Sequence, residues 1–503
     1  MRTISNKNYT IYHLHSDLSN GVTNIDSVTK YYEYIETAKK CGMKAMGFAE
    51  HGSILEWVHK KNKIEENGMK YIHAEEFYVT ENDFNSAVMA CYQSLRNYPT
   101  IVLDVLEYRS DNMFMPSFTS GSQDKYEINH FQDNKTNSLI ADIWEKSYSA
   151  ISCCNVMIDH IQNATINADK KLQFEAEARF IRAFHYFNLV RLFGGVPLVV
   201  HELSDGEALK MPRESVGKVY EQIESDLIFA LQLPDTYDKS DLGRVTSNAA
   251  EALLAKTYLT NKKYNDAKTH LNNIIITEKY DLLTDIKDVF DVNNEMNKEI
   301  LFAIKYSKTL IDGGHGMWLS LSDVTLGHFS DVLKGAYNSD DARAGLLEYK
   351  KSGSVYLPMK YYDIQDVSTK DVGNDFIVLR YADILLMYAE VLNEESFDTD
   401  INSKNSGFYY LNKVRDRAGL PNLTSLEVPS QSDFKKAVLN ERYLEFPLEG
   451  NRWFDLIRTG TAKEVIKAAY DIDIPDYRLI FPIPSAEVEK VNNPNILPQN
   501  PQY

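Results

Sequence analysis

The chain has 503 residues, more than one hydrophobic core usually accommodates, so we expect at least two substructures. Hydrophobic residues make up 44% and charged residues 25% of the chain, which is typical of folded globular proteins. The formal net charge of −18 argues against a nucleic-acid-binding protein, because phosphate groups require a basic binding face.

The first eighty residues alternate predicted strands and helices. Residues 9–17 predict a strand, in which His13 and His15 point to the same side because they are two residues apart. Predicted helices at 27–41 and 55–67 alternate with strands at 44–49 and 69–75, which end next to His51 and Glu76. Carboxyl ends of successive strands are where α/β barrels hold their catalytic groups, and imidazole and carboxylate are zinc ligands.

This segment resembles the start of the PHP domain, a metal-dependent phosphoesterase module of bacterial DNA polymerase III alpha subunits. The motifs that carry the resemblance are His13-Leu14-His15-Ser16-Asp17, Glu50-His51-Gly52 and Glu76-Phe77-Tyr78. The resemblance implies metal-site positions at His13, His15, His51 and Glu76. Three strands do not close such a barrel and no further ligands follow Tyr78, so we expect a truncated fragment without phosphoesterase activity.

From about residue 82 onwards, helical periodicity dominates the chain. Phe180, Ala183, Phe184 and Phe187 predict one apolar helix face, and the pair Gly194-Gly195 ends that helix. Residues 247–274 and 381–418 predict helix pairs of the tetratricopeptide-like type, which bury their apolar faces by stacking. Turn-rich stretches at 108–137, 306–375 and 471–503 interrupt the helices, and such loop faces usually carry binding sites.

A charged motif near the C-terminus alternates with large apolar residues. It comprises Glu441, Arg442, Glu445, Arg452, Asp455 and Arg458. We interpret these side chains as partly buried ion pairs that fix the register of the helices. The rival interpretation is an acid–base catalytic pair, but the abundant cations would keep the carboxylates ionised.

Residues ~82–503 resemble the RagB/SusD family of Bacteroidetes outer-membrane lipoproteins. The motifs that carry this resemblance are residues 175–199, Gly243-Arg244-Val245-Thr246, residues 379–386, residues 411–415, residues 441–446, residues 450–456, Pro482-Ile483-Pro484 and Asn493-Pro494-Asn495. The resemblance implies a mainly α-helical, SusD-like body at residues 81–503, preceded by a short α/β fragment at residues 1–80. It also implies a non-catalytic protein without a cofactor that binds a glycan or another nutrient beside a SusC-like TonB-dependent transporter.

Family members begin with a lipoprotein signal peptide and a lipidated cysteine, which the resemblance places at the cell surface of the outer membrane. The first ten residues of this chain contain no apolar run of the signal-peptide kind. As written, the chain is therefore expected to remain in the cytoplasm, and its PHP-like start suggests a chimera. The cysteines Cys41, Cys91, Cys153 and Cys154 predict no disulfide framework, and neighbours such as Cys153 and Cys154 rarely pair with each other.

Aromatic residues are abundant, with 32 Tyr, 22 Phe and 4 Trp. Most are expected in the core, but aromatic side chains on loops suit carbohydrate, because sugar rings stack on flat apolar surfaces. The candidates in the turn-rich stretches are Phe114, Phe118, Tyr126 and Trp318. Two alternatives to glycan binding remain. A complete set of metal ligands would favour a PHP-type phosphoesterase. The lack of an aromatic platform on the loop face would favour a helical-repeat interaction scaffold.

Overall fold

The computed structural model describes residues 78–118, 121–307, 328–347, 349–352, 355–361, 363 and 373–503, with short pieces between residues 35 and 71. Helices dominate this part of the chain, as the periodicity predicts. The helices are α1 (Glu81–Ser94), α2 (Tyr98–Ile101), α3 (Gln123–Asn129), α4 (Ser138–Gln162), α5 (Ala168–Phe193), α6 (Asp205–Ala208), α7 (Val216–Ala230), α8 (Ser247–Thr260), α9 (Tyr264–Ile276), α10 (Asp331–Ala336), α11 (Tyr381–Glu395), α12 (Gly407–Arg417), α13 (Gln431–Glu445), α14 (Arg452–Thr459), α15 (Ala462–Tyr470) and α16 (Ser485–Val491).

The strands of the described residues are short and pair two by two. They are β1 (Ala45–Met46), β2 (Lys70–Tyr71), β3 (Met113–Phe114), β4 (Ile300–Ile304), β5 (His328–Phe329), β6 (Tyr349–Ser352), β7 (Val355–Pro358) and β8 (Phe376–Arg380). β1 and β2 pair in parallel, which agrees with the predicted strand–helix–strand alternation. The pairs β3–β5, β4–β8 and β6–β7 are antiparallel.

Capping residues define where the long helices begin. The Asn137 side chain accepts a hydrogen bond from the backbone N–H of Ile140 at the start of α4. Asn167 does the same for the first turn of α5. Such caps satisfy N–H groups that have no partner inside the helix. α5 ends at Gly194, whose φ of +76° suits a residue without a side chain, so the predicted helix end is confirmed.

The helix α5 is buried on nearly all sides, because α1, α4 and α7 all pack against it. The predicted apolar face at residues 180–187 is buried as expected. However, the opposite side is not exposed to solvent, since Glu177, Arg182 and Asn188 are also buried. The Arg182 guanidinium binds the Asp226 carboxylate of α7 at 2.7 Å, which makes burial of both charges possible. The prediction of a single buried face was therefore incomplete.

The predicted helix pairs are confirmed. α8 packs against α9, and α11 packs against α12, with bounds close to those expected from periodicity. α9 also packs against α11, so the two hairpins stack on each other and bury their apolar faces in one core. The turn-rich stretch at 108–137 contains β3 and α3 between its loops, and it lies beside β5, far along the chain.

Candidate functional site

A run of five aromatic rings lies where β3, α3 and the end of α15 meet. We call this feature the aromatic surface, and its members are Phe114, Phe118, Tyr126, His130 and Tyr470. Phe118 is 47% exposed, and the other four side chains are half-buried. The structure therefore brings together three of the four aromatic residues that the sequence predicts for a binding site.

The rings follow one another at contact distances. The Phe118 and Tyr126 centroids are 4.8 Å apart, and the Tyr126 and His130 centroids are 3.8 Å apart with nearly parallel planes. The His130 centroid lies 5.4 Å from that of Phe114, which stacks on Tyr470 at 4.8 Å. Offset and tilted ring pairs of this kind are favourable and keep each ring in place. The result is a continuous apolar strip with one exposed end.

The order along α3 explains the closest ring pair. His130 follows Tyr126 by four residues, so both side chains lie on the same side of the helix end. His130 Nδ1 lies 3.0 Å from the Tyr126 carbonyl oxygen and must donate its proton there, since a carbonyl only accepts. Partial burial lowers the pKa of His130 below its ordinary value, despite this hydrogen bond. The ring is therefore neutral at pH 7 and offers Nε2 as an acceptor.

Buried hydrogen bonds fix the backbone that carries the strip. The Asn129 side chain donates to the carbonyl oxygens of Tyr108 and Met113, at 2.6 Å and 3.1 Å. Its carbonyl oxygen accepts the N–H of Met115 at 2.8 Å. The Tyr470 hydroxyl lies 3.2 Å from the Met113 carbonyl oxygen. One buried carboxamide and one hydroxyl thus hold the backbone on both sides of Phe114, so the rings stand on a preorganised base.

Polar groups of α3 lie beside the rings. Glu127 accepts a hydrogen bond from Gln123 at 2.9 Å, and Asp124 accepts the N–H of Ser138 at 2.8 Å. The one lysine of this helix, Lys125, is 2.6 Å from the Asp104 carboxylate and is mostly buried. The helix that carries Tyr126 therefore also carries amide and carboxylate groups, a combination of apolar and polar groups that suits a polyhydroxylated ligand.

Two members of the aromatic surface were not predicted. His130 could have been found, because its spacing of four from Tyr126 places it on the same helix face. Tyr470 carries no such signal, since it reaches the strip from a helix more than three hundred residues further along the chain. Trp318 lies outside the described residues, as do His13, His15, His51 and Glu76.

The charged motif near the C-terminus forms buried ion pairs, so that interpretation is confirmed. Burial alone would raise the pKa of Glu445, but the guanidinium groups of Arg417, Arg380 and Arg343 outweigh it and hold that pKa far below its ordinary value. Arg442 binds Asp383 at 2.6 Å and Asp455 at 2.8 Å. The remaining contacts join Glu441 to Arg343 and Arg415, Arg458 to Glu390 and Asp455, and Arg452 to Asp111.

These carboxylates are buried and paired with cations, which disfavours the acid–base interpretation. In the residues that the structure describes, histidine, cysteine and acidic side chains form no group of three suited to a metal ion. The same part of the chain contains no helix that is both long enough and apolar enough to cross a membrane.

Family models match both halves of the helical body. Residues 108–259 match a model described as "Starch-binding associating with outer membrane", and residues 328–503 match the model of the SusD family. The chain belongs to the SusD/RagB family. The first matched range contains Phe114, Phe118, Tyr126 and His130, and the second contains Tyr470. The aromatic surface therefore combines residues from both matched ranges.

Known family members resemble this chain over most of their length. The SusD-like protein P2 of Formosa agariphila is 27% identical over 499 residues, which cover 88% of this chain and 96% of that protein. Surface glycan-binding protein A from Bacteroides fluxus superposes with a TM-score of 0.73 at 22% identity, covering 84% of this chain and all of that one. The protein of the same name from Bacteroides thetaiotaomicron, solved in complex with laminarihexaose, superposes with a TM-score of 0.70 at 23% identity over 84% of this chain and 100% of that one. These similarities identify a SusD-like fold.

Proposed function

We propose that this chain is a surface glycan-binding protein of a bacterial nutrient-uptake system, and that the aromatic surface is its binding site. The observation that carries the proposal is the strip of five rings on a hydrogen-bonded base. Sugar rings present C–H groups on their faces, which pack on aromatic rings, while their hydroxyl groups reach polar neighbours at the edge. The second ring nitrogen of His130, Nε2, is an acceptor within the strip, and Glu127 is an acceptor on the same helix as Tyr126.

The family supports a glycan as the ligand. One matching model is described as starch-binding, and a structural relative was solved with laminarihexaose, a short glucan. We infer that this chain binds an oligosaccharide of several units, as the relative solved with laminarihexaose does. The exposed Phe118 ring offers a stacking position for one of its sugars. The glycosidic linkage that the site prefers depends on the curvature of the glycan chain and on where its hydroxyl groups meet the strip.

Trp318 is proposed as a further stacking residue. Trp318 precedes His328 by ten residues in the sequence, and His328 is the β5 partner of Phe114. Covalent connection therefore ties this tryptophan to a strand that borders the aromatic surface. A tryptophan close in sequence to Gly313 and Gly314 would add a large flat face to the five rings of the aromatic surface.

The binding proposal is tested by isothermal titration calorimetry of the purified chain with laminarihexaose, maltohexaose and cellohexaose. Replacing Tyr126 by Ala removes the ring between Phe118 and His130. The binding free energy of whichever hexaose binds should therefore weaken by about 1–3 kcal/mol. Phe118→Ala should act in the same direction. The matched control is Leu426→Ala, because Leu426 is 89% exposed and belongs to another loop. Equal losses for the control and the ring variants would contradict the assignment.

We propose that the chain binds its glycan without cleaving it. Glycoside hydrolysis requires two carboxyl groups placed on either side of the scissile bond. The carboxylates of α3 instead accept hydrogen bonds from their own surroundings, Glu127 from Gln123 and Asp124 from Ser138. Incubation of the protein with its hexaose should release no new reducing ends, measured over hours at saturating protein. Time-dependent release that persists after repurification would show an enzyme.

We further propose an outer-membrane, cell-surface location and a SusC-like TonB-dependent transporter as partner. The description of one matching family model supports the location, and membership of the SusD family implies the partner. Lipid anchorage is part of the same proposal. Fractionation of the native producer, followed by protease shaving of intact cells, tests the location. Co-purification of a large β-barrel transporter from detergent extracts tests the partner.

Residues 1–80 are proposed as a separate PHP-like α/β fragment without catalytic activity. The parallel pairing of β1 with β2 supports a strand–helix–strand unit in this part. We propose that His13, His15, His51 and Glu76 hold a zinc ion weakly at most, because catalysis also needs oriented supporting groups and a phosphate pocket. Metal analysis and a phosphodiesterase assay of the full chain, each compared with His13→Ala, test whether this segment binds a metal ion or hydrolyses a phosphodiester. Deleting residues 1–80 should leave glycan binding intact.

A further inference from the structure

Two cysteines that are distant in sequence meet between α1 and α4. Cys91 Sγ on α1 lies 3.5 Å from Cys153 Sγ on α4, at a sequence separation of 62 residues. α1 and α4 pack directly against each other, so this approach is part of a helix interface. Cys91 is fully buried, whereas Cys153 is only partly buried and thus reachable from solvent.

We propose that Cys91 and Cys153 are a redox site, at which a disulfide oxidant forms a bond that ties α1 to α4. Two sulfur atoms 3.5 Å apart are already in van der Waals contact. A disulfide needs about 2.05 Å, so the sulfur atoms must approach by roughly 1.5 Å through small side-chain rotations. Cys154, the neighbour of Cys153 in sequence, also contacts Cys91 but is fully buried, so a dissolved oxidant reaches Cys153 and not Cys154. The pairing therefore follows from helix packing and could not be deduced from cysteine spacing.

The chemistry is thiol–disulfide exchange, and its electrons balance. The Cys153 thiolate attacks one sulfur of the oxidant, forms a mixed disulfide and releases one oxidant thiolate. Cys91, after losing its proton to water, attacks the Cys153 sulfur and releases the second oxidant thiolate. The two cysteines together lose two electrons and two protons, and the oxidant disulfide becomes two thiols.

The pKa values of the two thiols are shifted in opposite directions, in agreement with this order of attack. The hydrogen bond from the Cys91 thiol lowers the pKa of Cys153, which favours the thiolate at the accessible position. Hydrogen bonds to Cys153 and Cys154, together with burial, raise the pKa of Cys91, so that thiol acts second, as the resolving group. Proteins that reach an outer membrane pass through an oxidising compartment, where such bonds form and persist.

The test uses the full chain, purified reduced and then incubated with a series of glutathione redox buffers. Free thiols are alkylated in denaturant, and the peptides are mapped by mass spectrometry without reduction. We expect a peptide pair joined through Cys91 and Cys153, with Cys154 alkylated. Alkylation of both Cys91 and Cys153 at every ratio of oxidised to reduced glutathione, or a bond that uses Cys154 or Cys41 instead, would overturn the proposal.

Variants separate the two roles. Cys91→Ala removes the resolving thiol, so Cys153 should accumulate as its mixed disulfide with glutathione. Cys153→Ala should leave Cys91 unmodified, because the buried thiol is out of reach of the oxidant. Cys154→Ala is the matched control and should form the Cys91–Cys153 bond as the unaltered chain does. Loss of the bond in this control would overturn the assignment of the pair, and none of these results depends on glycan binding.

Discussion

His185 is the buried histidine of α5, and its hydrogen bond defines its tautomer. The Ser94 hydroxyl donates to the Cys91 carbonyl oxygen at 2.6 Å, so His185 Nε2 must donate to the Ser94 oxygen at 3.1 Å. Burial lowers the pKa of His185 from its ordinary value of about 6.5 to about 4. The side chain is therefore neutral in the folded protein at pH 5, while the unfolded chain already binds a proton there.

This difference predicts an acid-dependent loss of stability. Above pH 6.5 neither state is protonated at His185, so the residue adds no pH dependence. Between pH 6.5 and 4 the unfolded state binds the proton first, and the free energy of unfolding falls by about 3 kcal/mol in total. His185→Gln keeps a donor for Ser94 but does not titrate, so urea titrations of the variant should lack this slope.

His201→Gln is the matched control for that experiment, because the His201 side chain is 74% exposed. The comparison must use the difference between each variant and the unaltered chain at each pH, since buried carboxyl groups titrate in the same range. Burial raises the pKa of Glu107 to about 6, for example, which makes its own contribution run in the opposite direction. Parallel pH profiles for His185→Gln and the unaltered chain would refute the prediction.

At the scale of elements, Glu445 connects the end of α13 to β8 and α12. Its carboxylate is fully buried, 2.6 Å from Arg380 at the end of β8 and 3.1 Å from Arg343, and it also pairs with Arg417 of α12. Glu299 and Glu449 neutralise Arg380 from other directions. Removing one member of such a set leaves a buried charge without compensation, which costs more than the pair contributes when intact.

We therefore predict that Glu445→Gln lowers the free energy of unfolding by about 3–5 kcal/mol. Chemical denaturation of the variant and the unaltered chain measures the difference. The matched control is Lys463→Gln, which breaks the Lys463–Asp476 pair at 2.8 Å on the surface. Both side chains of that pair are more than half exposed, so no measurable change is expected. Equal, small effects for both variants would show that the buried pairs do not hold these elements together.

The elements also show what can be predicted from sequence. The helix pairs at α8–α9 and α11–α12 are local, so periodicity and capping residues predict them well. The apolar periodicity of α5 does not reveal that its other side is also buried, because the burial of Glu177 and Arg182 depends on partners outside the helix. Those partners, Arg244 and Asp226, lie in other parts of the chain.

In the aromatic surface too, residues that are close in sequence could be predicted and a distant one could not. Phe114, Phe118 and Tyr126 come from one turn-rich stretch, so composition and loop position suffice to predict them as a group. Tyr470 contributes the last ring only because the packing of β3 beside α15 brings it there. Contacts between residues so distant in sequence depend on the complete fold, which a local pattern does not specify.

At the scale of the whole molecule, charge restricts which glycans reach the aromatic surface. The chain carries a formal net charge of −18. Near the strip, Asp124 and Glu127 lie on α3, while Asp471, which follows Tyr470 directly, pairs with Lys467 at 2.8 Å. Lys125, the cation of α3, is held by Asp104. An approaching polyanion thus meets repulsion from the molecule as a whole and again at the strip.

We predict that the protein binds a neutral glycan and discriminates against the same glycan when it carries carboxylates. Laminarin and its C6-oxidised, uronic-acid derivative share one backbone, so their comparison isolates charge from shape. At about 20 mM salt the oxidised form should bind at least about tenfold more weakly, and the gap should narrow at about 0.5 M salt because screening shortens the range of repulsion. Binding of neutral laminarin should not change with salt, since stacking and neutral hydrogen bonds are not screened. Calorimetry or affinity electrophoresis across this salt range measures both curves. Tighter binding of the oxidised form at low salt would show that a basic site, rather than the aromatic surface with its acidic neighbours, receives the ligand.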